Sequence, residues 1–393
     1  MIIEVKGVEF ENKGAHLMLV AIIEQINRIW PHAQFALTHS AKSSYAQRSS
    51  VASFRKLNLR RNLLDINAIS YFIPTILRNF LKRNGMVFEA DVDMIIDASG
   101  FSYSDQWPSK LRIYHLKNNL ERFHRYNKPY IFVPQAFGPF TTKVSRKRIA
   151  KTFKYAAMIC AREQQSLQNL EEITGSMDSL FQYDDFTNLA DGLVPSTFDI
   201  SQHSACIVPN KNMVNARNID GAWPERYESL LIEAIIYYRE KGLTPFFLNH
   251  EGEEDAALIY RVNGSLPKPV PVVIESNPLA VKGIIGASQA VFCSRYHGCI
   301  SALSQGIPCI GTSWSHKYEL LFQQYQATSL LLESSVSVEK LREVIDLSLD
   351  GHSKILKSIA LEALASKARS AAMWDQFRIV AERYSAFEEQ RRA

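Results

Sequence analysis

The sequence predicts an α/β protein of two Rossmann-like domains with parallel sheets facing a cleft, and three observations predict it. The chain has 393 residues and a mass of 44.6 kDa, enough for two ordinary domains that each bury a core. Short apolar runs alternate with amphipathic stretches almost from end to end, the pattern of parallel sheets with crossover helices. The alternation pauses once, at GLVPSTFDISQHS between Asp191 and Ser204, which is rich in turn formers and reads as a linker. The expected division is an N-terminal Rossmann-like domain over residues 1–192, a linker over 193–203, a C-terminal Rossmann-like domain over 204–370, and a C-terminal helix over 371–393 that packs back on the first domain.

Taken in order, the first half supplies strands at IIEVKGV (from Ile2), QFALTH (from Gln34), DMIIDAS (from Asp93), YIFVPQA (from Tyr130), MICARE (from Met158) and LFQYDD (from Leu180). Helical periodicity is clearest from His16 to Trp30, where Leu17, Val20 and Ala21 set an apolar face against Glu24 and Arg28. Segment 40–92 shows no legible period, and its basic stretch from Arg55 to Arg61 reads as an exposed loop or helix face. The second half restarts with strands at ACIVPN, TPFFLNH, PVVIES, AVFCSRY and PCIGTS. Helices centred on 228–241, 253–262, 278–286 and 298–305 fill the gaps, and 338–389 reads as helical to the end.

Composition narrows the function. Hydrophobic residues at 46% and charged residues at 22% are those of a folded globular chain, and a net charge of +5 is too mild for a nucleic-acid partner. No apolar run approaches the roughly 18 residues of a membrane span. The N-terminus, MIIEVKGVEF, carries charges inside it and reads as a strand instead of a signal peptide. The expected location is cytoplasmic, with the positive charge, Trp107 and Trp223 permitting peripheral membrane contact. Five cysteines without a C-x-x-C pair read as reduced, buried thiols. Metal signatures, a Walker loop, a G-x-G-x-x-G fingerprint and a G-x-S-x-G elbow are all absent, so no metal or cofactor is expected.

In open parallel sheets the ligand crevice lies beyond the carboxyl ends of the strands, so polar residues just after strands are the candidates. Asn12-Lys13-Gly14-Ala15-His16 is a loop whose glycine would let helix amides approach an anion, or would simply make a tight turn. VPQAFGPF over 133–140 is stiffened by its prolines and offers Gln135 as donor and acceptor. Arg162, at a strand end, suits either an anionic ligand or an ion pair with Glu163 or a neighbour. The sharpest element is Ser294-Arg295-Tyr296-His297-Gly298, where a cation and a titratable imidazole meet at a strand-to-helix turn; a capping histidine beside a surface arginine is the bland alternative. Lys317 follows the next strand, and His250 with Glu253, Glu254 and Asp255 follows another, where the acids equally suit the first turn of a helix.

These segments in series, NKGA, VPQAFGPF, AREQQS, QYDDF, NHEGEED and SRYHGCISALSQGIPCIG with SHKYE, resemble the polysaccharide pyruvyl transferase family from residue 5 to about residue 325. The resemblance implies a GT-B-like architecture, phosphoenolpyruvate as donor substrate and a sugar or lipid-linked oligosaccharide as acceptor. The product would be a pyruvate ketal on a cell-surface polysaccharide or its precursor. It further implies that Arg162 and Arg295 bind the donor from the two domains, aided by Tyr296 and Gly298. His297 would be the general acid and Asp185 a base for the acceptor or a structural acid, with Lys317, Gln135, Asn12 and Gly14 of second rank. Family members often carry an acid after the loop glycine, where this chain has Ala15, which casts doubt on catalysis by that loop. A nucleotide-sugar glycosyltransferase and a non-catalytic sugar-binding member are the alternatives.

Overall fold

Eight of the strands in the first half pair in one wholly parallel sheet. The structure, a computed structural model, describes residues 1–105, 110–215, 218, 221–313 and 315–384. Trp107, and the expected helix beyond residue 384, lie outside the described residues. In the first half the chain runs β1 (Ile2–Lys6), α1 (Lys13–Ile29), β2 (Gln34–Thr38), α2 (Tyr45–Ser50), β3 (Phe54–Lys56), β4 (Arg60–Arg61), β5 (Leu64–Asp65), α3 (Thr75–Arg83) and β6 (Met86–Val87). It continues through β7 (Met94–Asp97), α4 (Lys110–Arg125), β8 (Tyr130–Gln135), α5 (Lys143–Phe153), β9 (Met158–Ala161), α6 (Gln164–Thr174) and β10 (Leu180–Gln182). The sheet order is β10-β9-β8-β7-β1-β2-β3-β6, with β4 and β5 a separate antiparallel hairpin. The central strands are buried on both faces, which is why they read as continuous apolar runs instead of alternating ones. Ile3 pairs with Phe35 on one side and Met94 on the other, so the direction of winding reverses between β1 and β7.

The second half forms β11 (Ala205–Val208), α7 (Trp223–Glu240), β12 (Pro245–Asn249), α8 (Gly252–Gly264), β13 (Val272–Ile274), α9 (Pro278–Ala287) and β14 (Ala290–Cys293). Then come α10 (Tyr296–Leu303), β15 (Cys309–Thr312), α11 (Lys317–Gln324), β16 (Leu331–Leu332), α12 (Val338–Leu349) and α13 (Lys354–Ala381). Its parallel sheet runs β13-β12-β11-β14-β15-β16, the doubly wound order that reverses between β11 and β14. All five cysteines are free and buried. No helix among the described residues is long and apolar enough to cross a membrane.

The chain divides into two compact units, one of residues 1–10, 18–186 and 369–393, the other of residues 11–17 and 187–368. Residues 11–17, expected in the first domain, pack in the second unit because Lys13 donates its amide to the His250 carbonyl and Asn12 bonds Glu251. The stretch expected as a linker is folded onto that same unit. The Leu193 amide bonds the Leu279 carbonyl, and the Phe198 ring tilts against His203 and Phe246. The stretch over 338–389, expected to be helical, is divided between α12 and α13, where the Asp350 carboxylate takes the His352 amide and Ser353 caps the next helix at Ile355. Residues 371–381 begin no helix of their own; they continue α13, and Trp374 and Phe377 join the core of the first unit beside Phe186 and Trp30. Trp223, offered above as a membrane contact, is instead a core side chain of the second unit.

Candidate functional site

In the second unit the winding reversal lies between β11 and β14, and the turn after β14 is held there by four hydrogen bonds. The Ser294 hydroxyl accepts from Tyr227 (2.6 Å) and Thr312 (2.7 Å). Its carbonyl accepts from Asn210 (2.8 Å) and Tyr318 (2.9 Å). Each of these partners is buried, so the next residues leave the sheet in a fixed direction. Arg295 comes first, extended and capping α10.

The Arg295 guanidinium is buried and engaged. Its Nε donates to Asp255 Oδ2 at 2.9 Å, Nη2 donates to Asp255 Oδ1, and Nη1 donates to Glu251 Oε2. Both acids stand at the start of α8, placed by the neighbouring strand β12. Burial opposes its charge, but Asp255 and Glu251 outweigh it, and the guanidinium keeps its proton more firmly than usual. Arginine has five N–H groups, so two remain to offer a ligand, in an orientation set by the carboxylates. The bland alternative of a surface arginine does not hold: Arg295 is buried and balanced by two carboxylates.

His297 occupies the first turn of α10, and Gly14 lies against it. A methyl group at Gly14 would meet the imidazole Nδ1 at 2.5 Å and the His297 Cβ at 2.7 Å, so that loop has a glycine because the histidine needs the room. The amides expected to cradle an anion there are occupied. Asn12 Oδ1 accepts from Gly14 N (2.9 Å) and Ala15 N (3.2 Å), and Asn12 Nδ2 donates to Glu251 Oε2 (3.0 Å). Asn12 therefore caps α1 and fixes Glu251, which fixes Arg295. Gly298 likewise serves packing: a methyl group there would meet Cys293 Sγ at 2.4 Å. Tyr296 is buried with its ring edge-on to His297 and Tyr318, and the Lys317 ammonium stands 4.9 Å from the Tyr296 ring centre.

His250 completes this cluster. It is buried after β12, and its Nδ1 has no hydrogen-bond partner among the described residues. Burial first, then Arg295, His297 and Lys13, push its pKa well below the usual histidine value, so it is neutral at neutral pH. Burial and Lys13 likewise lower His16, to about 4.

Gln135, Arg162 and Asp185 belong to the first unit. Arg162 donates from Nε to Glu163 (3.0 Å) and from Nη1 to Asp185 (3.1 Å), the ion-pair alternative read from the sequence. The Asp185 carbonyl accepts from Ser370. Gln135 is fully buried as the last residue of β8, donating to the Asp97 carbonyl at 3.2 Å, and it ties strands together where a donor and acceptor for a ligand was expected.

The first unit also holds a cavity of about 530 Å³ that sequence reading missed. It opens at the β1/β7 reversal and is lined by Lys6, Arg60, Arg112 and His115 together with serine hydroxyls. Asp97 is the one acid among its described lining residues, and it accepts from the Tyr103 and Tyr130 hydroxyls at 2.7 and 2.8 Å. Burial lowers the Lys6 pKa to about 8. The one available signal was a lysine closing an apolar strand at the sheet's carboxyl edge. Glu251 and Asp255 were legible only as acids of a helix start, since their link to Arg295 depends on sheet order.

The polysaccharide pyruvyl transferase family model matches residues 12–316. No curated protein matches the sequence. A solved UDP-N-acetylglucosamine 2-epimerase superposes with a TM-score of 0.59 at 10% identity, over 96% of this chain and 94% of its own. The UDP-GlcNAc 2-epimerase from Neisseria meningitidis, solved with UDP-GlcNAc bound, gives 0.56 at 11% identity over 96% and 99%. Spinosyn rhamnosyltransferase SpnG gives 0.53 at 13% over 97% and 99%. At such identities the likeness is one of fold, the GT-B arrangement of two parallel-sheet α/β domains.

Proposed function

Because the chain belongs to the polysaccharide pyruvyl transferase family, we propose that it moves the pyruvate unit of phosphoenolpyruvate onto a sugar of a cell-surface polysaccharide or its precursor. The observation that carries the reading is the turn after β14, which presents an oriented guanidinium and an imidazole together at a sheet's winding reversal. The two remaining N–H groups of Arg295 and the first-turn amides of α10 are donors suited to the carboxylate and phosphate of the donor. His297 protonates the methylene carbon, which becomes the methyl group, and C2 turns electrophilic. One sugar hydroxyl adds to C2 with loss of its proton, phosphate leaves with the C2–O bond electrons, and the second hydroxyl closes the ketal on C2 with loss of its own proton. Proton transfer of this type contributes about 10²–10⁴ in rate. The acceptor sugar is assigned to the cavity of the first unit, whose size and polar lining fit a saccharide.

The test is ligand-dependent melting. Phosphoenolpyruvate at millimolar concentration is expected to raise Tm, and Arg295→Ala to abolish the rise. Stabilisation by UDP or a UDP-sugar in its place would support a nucleotide-sugar transferase, the reading favoured by the UDP-GlcNAc in the Neisseria neighbour. Donor binding without phosphate release across an acceptor panel would mark a non-catalytic member.

A further inference from the structure

The first unit carries exposed apolar and cationic side chains, on helix α3 and on the β4–β5 hairpin that precedes it in sequence, that its own core does not use. Helix α3 has no buried residue. Ile76 is 86% exposed, Phe80 63%, and Phe72 just before the helix 81%, with Leu77 half-exposed beside them. Leu63 and Leu64, on the β4–β5 hairpin, are exposed as well. On α3 the spacing puts Ile76, Leu77, Phe80 and Leu81 on one face and Arg78 and Lys82 on the other, with Arg83 at the border beside Ile76. From Ile66 to Phe88 the sequence contains no aspartate or glutamate. Arg78 is paired with Asp91 at 2.6 Å, while Arg60, Arg61, Lys82 and Arg83 make no ion pair among the described residues.

Large apolar side chains in water are costly, and a soluble chain normally covers or breaks up such a patch. A nine-residue helix is too short to cross a bilayer, yet it suits lying in the plane of one, apolar face down and cations at the headgroups. Charge decides between occupants. A second copy docked through the same face would bring these cations against their own equivalents, because a two-fold contact is self-complementary. An anionic lipid surface complements both features at once.

We propose that α3 and the β4–β5 hairpin seat this protein on an anionic membrane surface. The hairpin also carries Arg60, which lines the first unit's cavity, so the same element borders both. The proposal does not depend on which donor the enzyme uses.

Co-sedimentation of the full chain with phosphatidylcholine vesicles, with and without phosphatidylglycerol, tests it. The protein is expected to pellet with the anionic vesicles and to be released by salt. Ile76→Ser/Phe80→Ser and Lys82→Glu/Arg83→Glu are each expected to weaken partitioning about tenfold or more. All four side chains project from an element without buried residues, so circular dichroism and Tm should match the parent and exclude misfolding. Failure to pellet with either vesicle, equal pelleting with both, or parent-like binding by the variants overturns the proposal. A parent dimer that Ile76→Ser/Phe80→Ser converts to monomer overturns it too, in favour of a second copy. Phosphoenolpyruvate-dependent melting, measured on the same variants, reports the donor chemistry separately.

Discussion

Gly14 and His297 form a pair in which the smaller residue determines where the larger one stands. Gly14→Ala puts a methyl group inside contact distance of the His297 Nδ1, Cγ and Cβ, and the backbone-proximal Cβ has no rotamer by which to escape. Overpacking of this kind costs about 1–3 kcal/mol, and a displacement near 1 Å can cost about 10² in rate. Phosphate-release assays beside urea denaturation should therefore show a rate loss out of proportion to the stability loss. Asp255→Ala removes the two-pronged anchor of Arg295 and leaves a buried guanidinium with Glu251 alone; loss of one partner of a buried pair costs about 3–5 kcal/mol. Asp255→Asn, which keeps the shape and one acceptor, should fall between, with the KM for phosphoenolpyruvate raised in both. The buried histidines give a pH signature. Unfolded, His16 and His250 take up protons below about pH 6.5, whereas in the fold burial holds His16 neutral to about 4 and keeps His250 neutral well below its usual range. The unfolded state thus binds more protons in that window, and stability present above pH 6.5 is lost as pH falls toward 4. Denaturant midpoints measured across it should drop, and His16→Gln or His250→Gln should flatten the drop; a parent midpoint constant from pH 6.5 to 4 would refute the assignment.

At the scale of elements, what reads clearly from sequence is what both faces of a sheet enforce. Strands β1, β2, β7 to β9, β11, β12, β14 and β15 are short runs buried on both sides, so apolarity alone marks them. Segment 40–92 was illegible for the opposite reason. Its strands β3 and β6 are three and two residues long, and its helix α3 is apolar on a face that nothing in the unit covers. The break within 338–389 was not legible because Asp350 and Ser353 stop one helix and cap the next through side-chain bonds that leave the helical period nearly intact. The R-x-H-G turn was legible, since arginine and histidine at a strand end have little to do in a core. Its partners were not: Asp255 reaches Arg295 because β12 and β14 both flank β11, and strand order is not written locally. Arg162 illustrates the same limit, because Glu163 is adjacent but Asp185 arrives from beyond the next strand. Arg162→Ala should then destabilise the first unit by about 3–5 kcal/mol by stranding the buried Asp185 and the half-buried Glu163, with Arg162→Ala/Asp185→Leu recovering part of it in a double-mutant cycle.

The whole molecule consists of two units, each with its own sheet and its own core, yet the chain passes between them four times. Cores of this independence favour separate cooperative transitions, and a chain of this size has no reason to obey a two-state law. In the proposed function the donor meets Arg295 and His297, both residues of the second unit, and a ligand present at a thousand times its Kd stabilises its site by about 4 kcal/mol. Trp374, carried by α13 into the core of the first unit beside Phe186 and Phe377, is the opposite handle, since Trp→Ala in a core costs about 3–5 kcal/mol. Differential scanning calorimetry should resolve two transitions, with the ligand raising one and Trp374→Ala lowering the other. Arg295→Ala should cancel the first shift while leaving the Trp374→Ala shift in place. If one transition answers to both perturbations, the four chain crossings couple the cores, and the units fold as a single cooperative body.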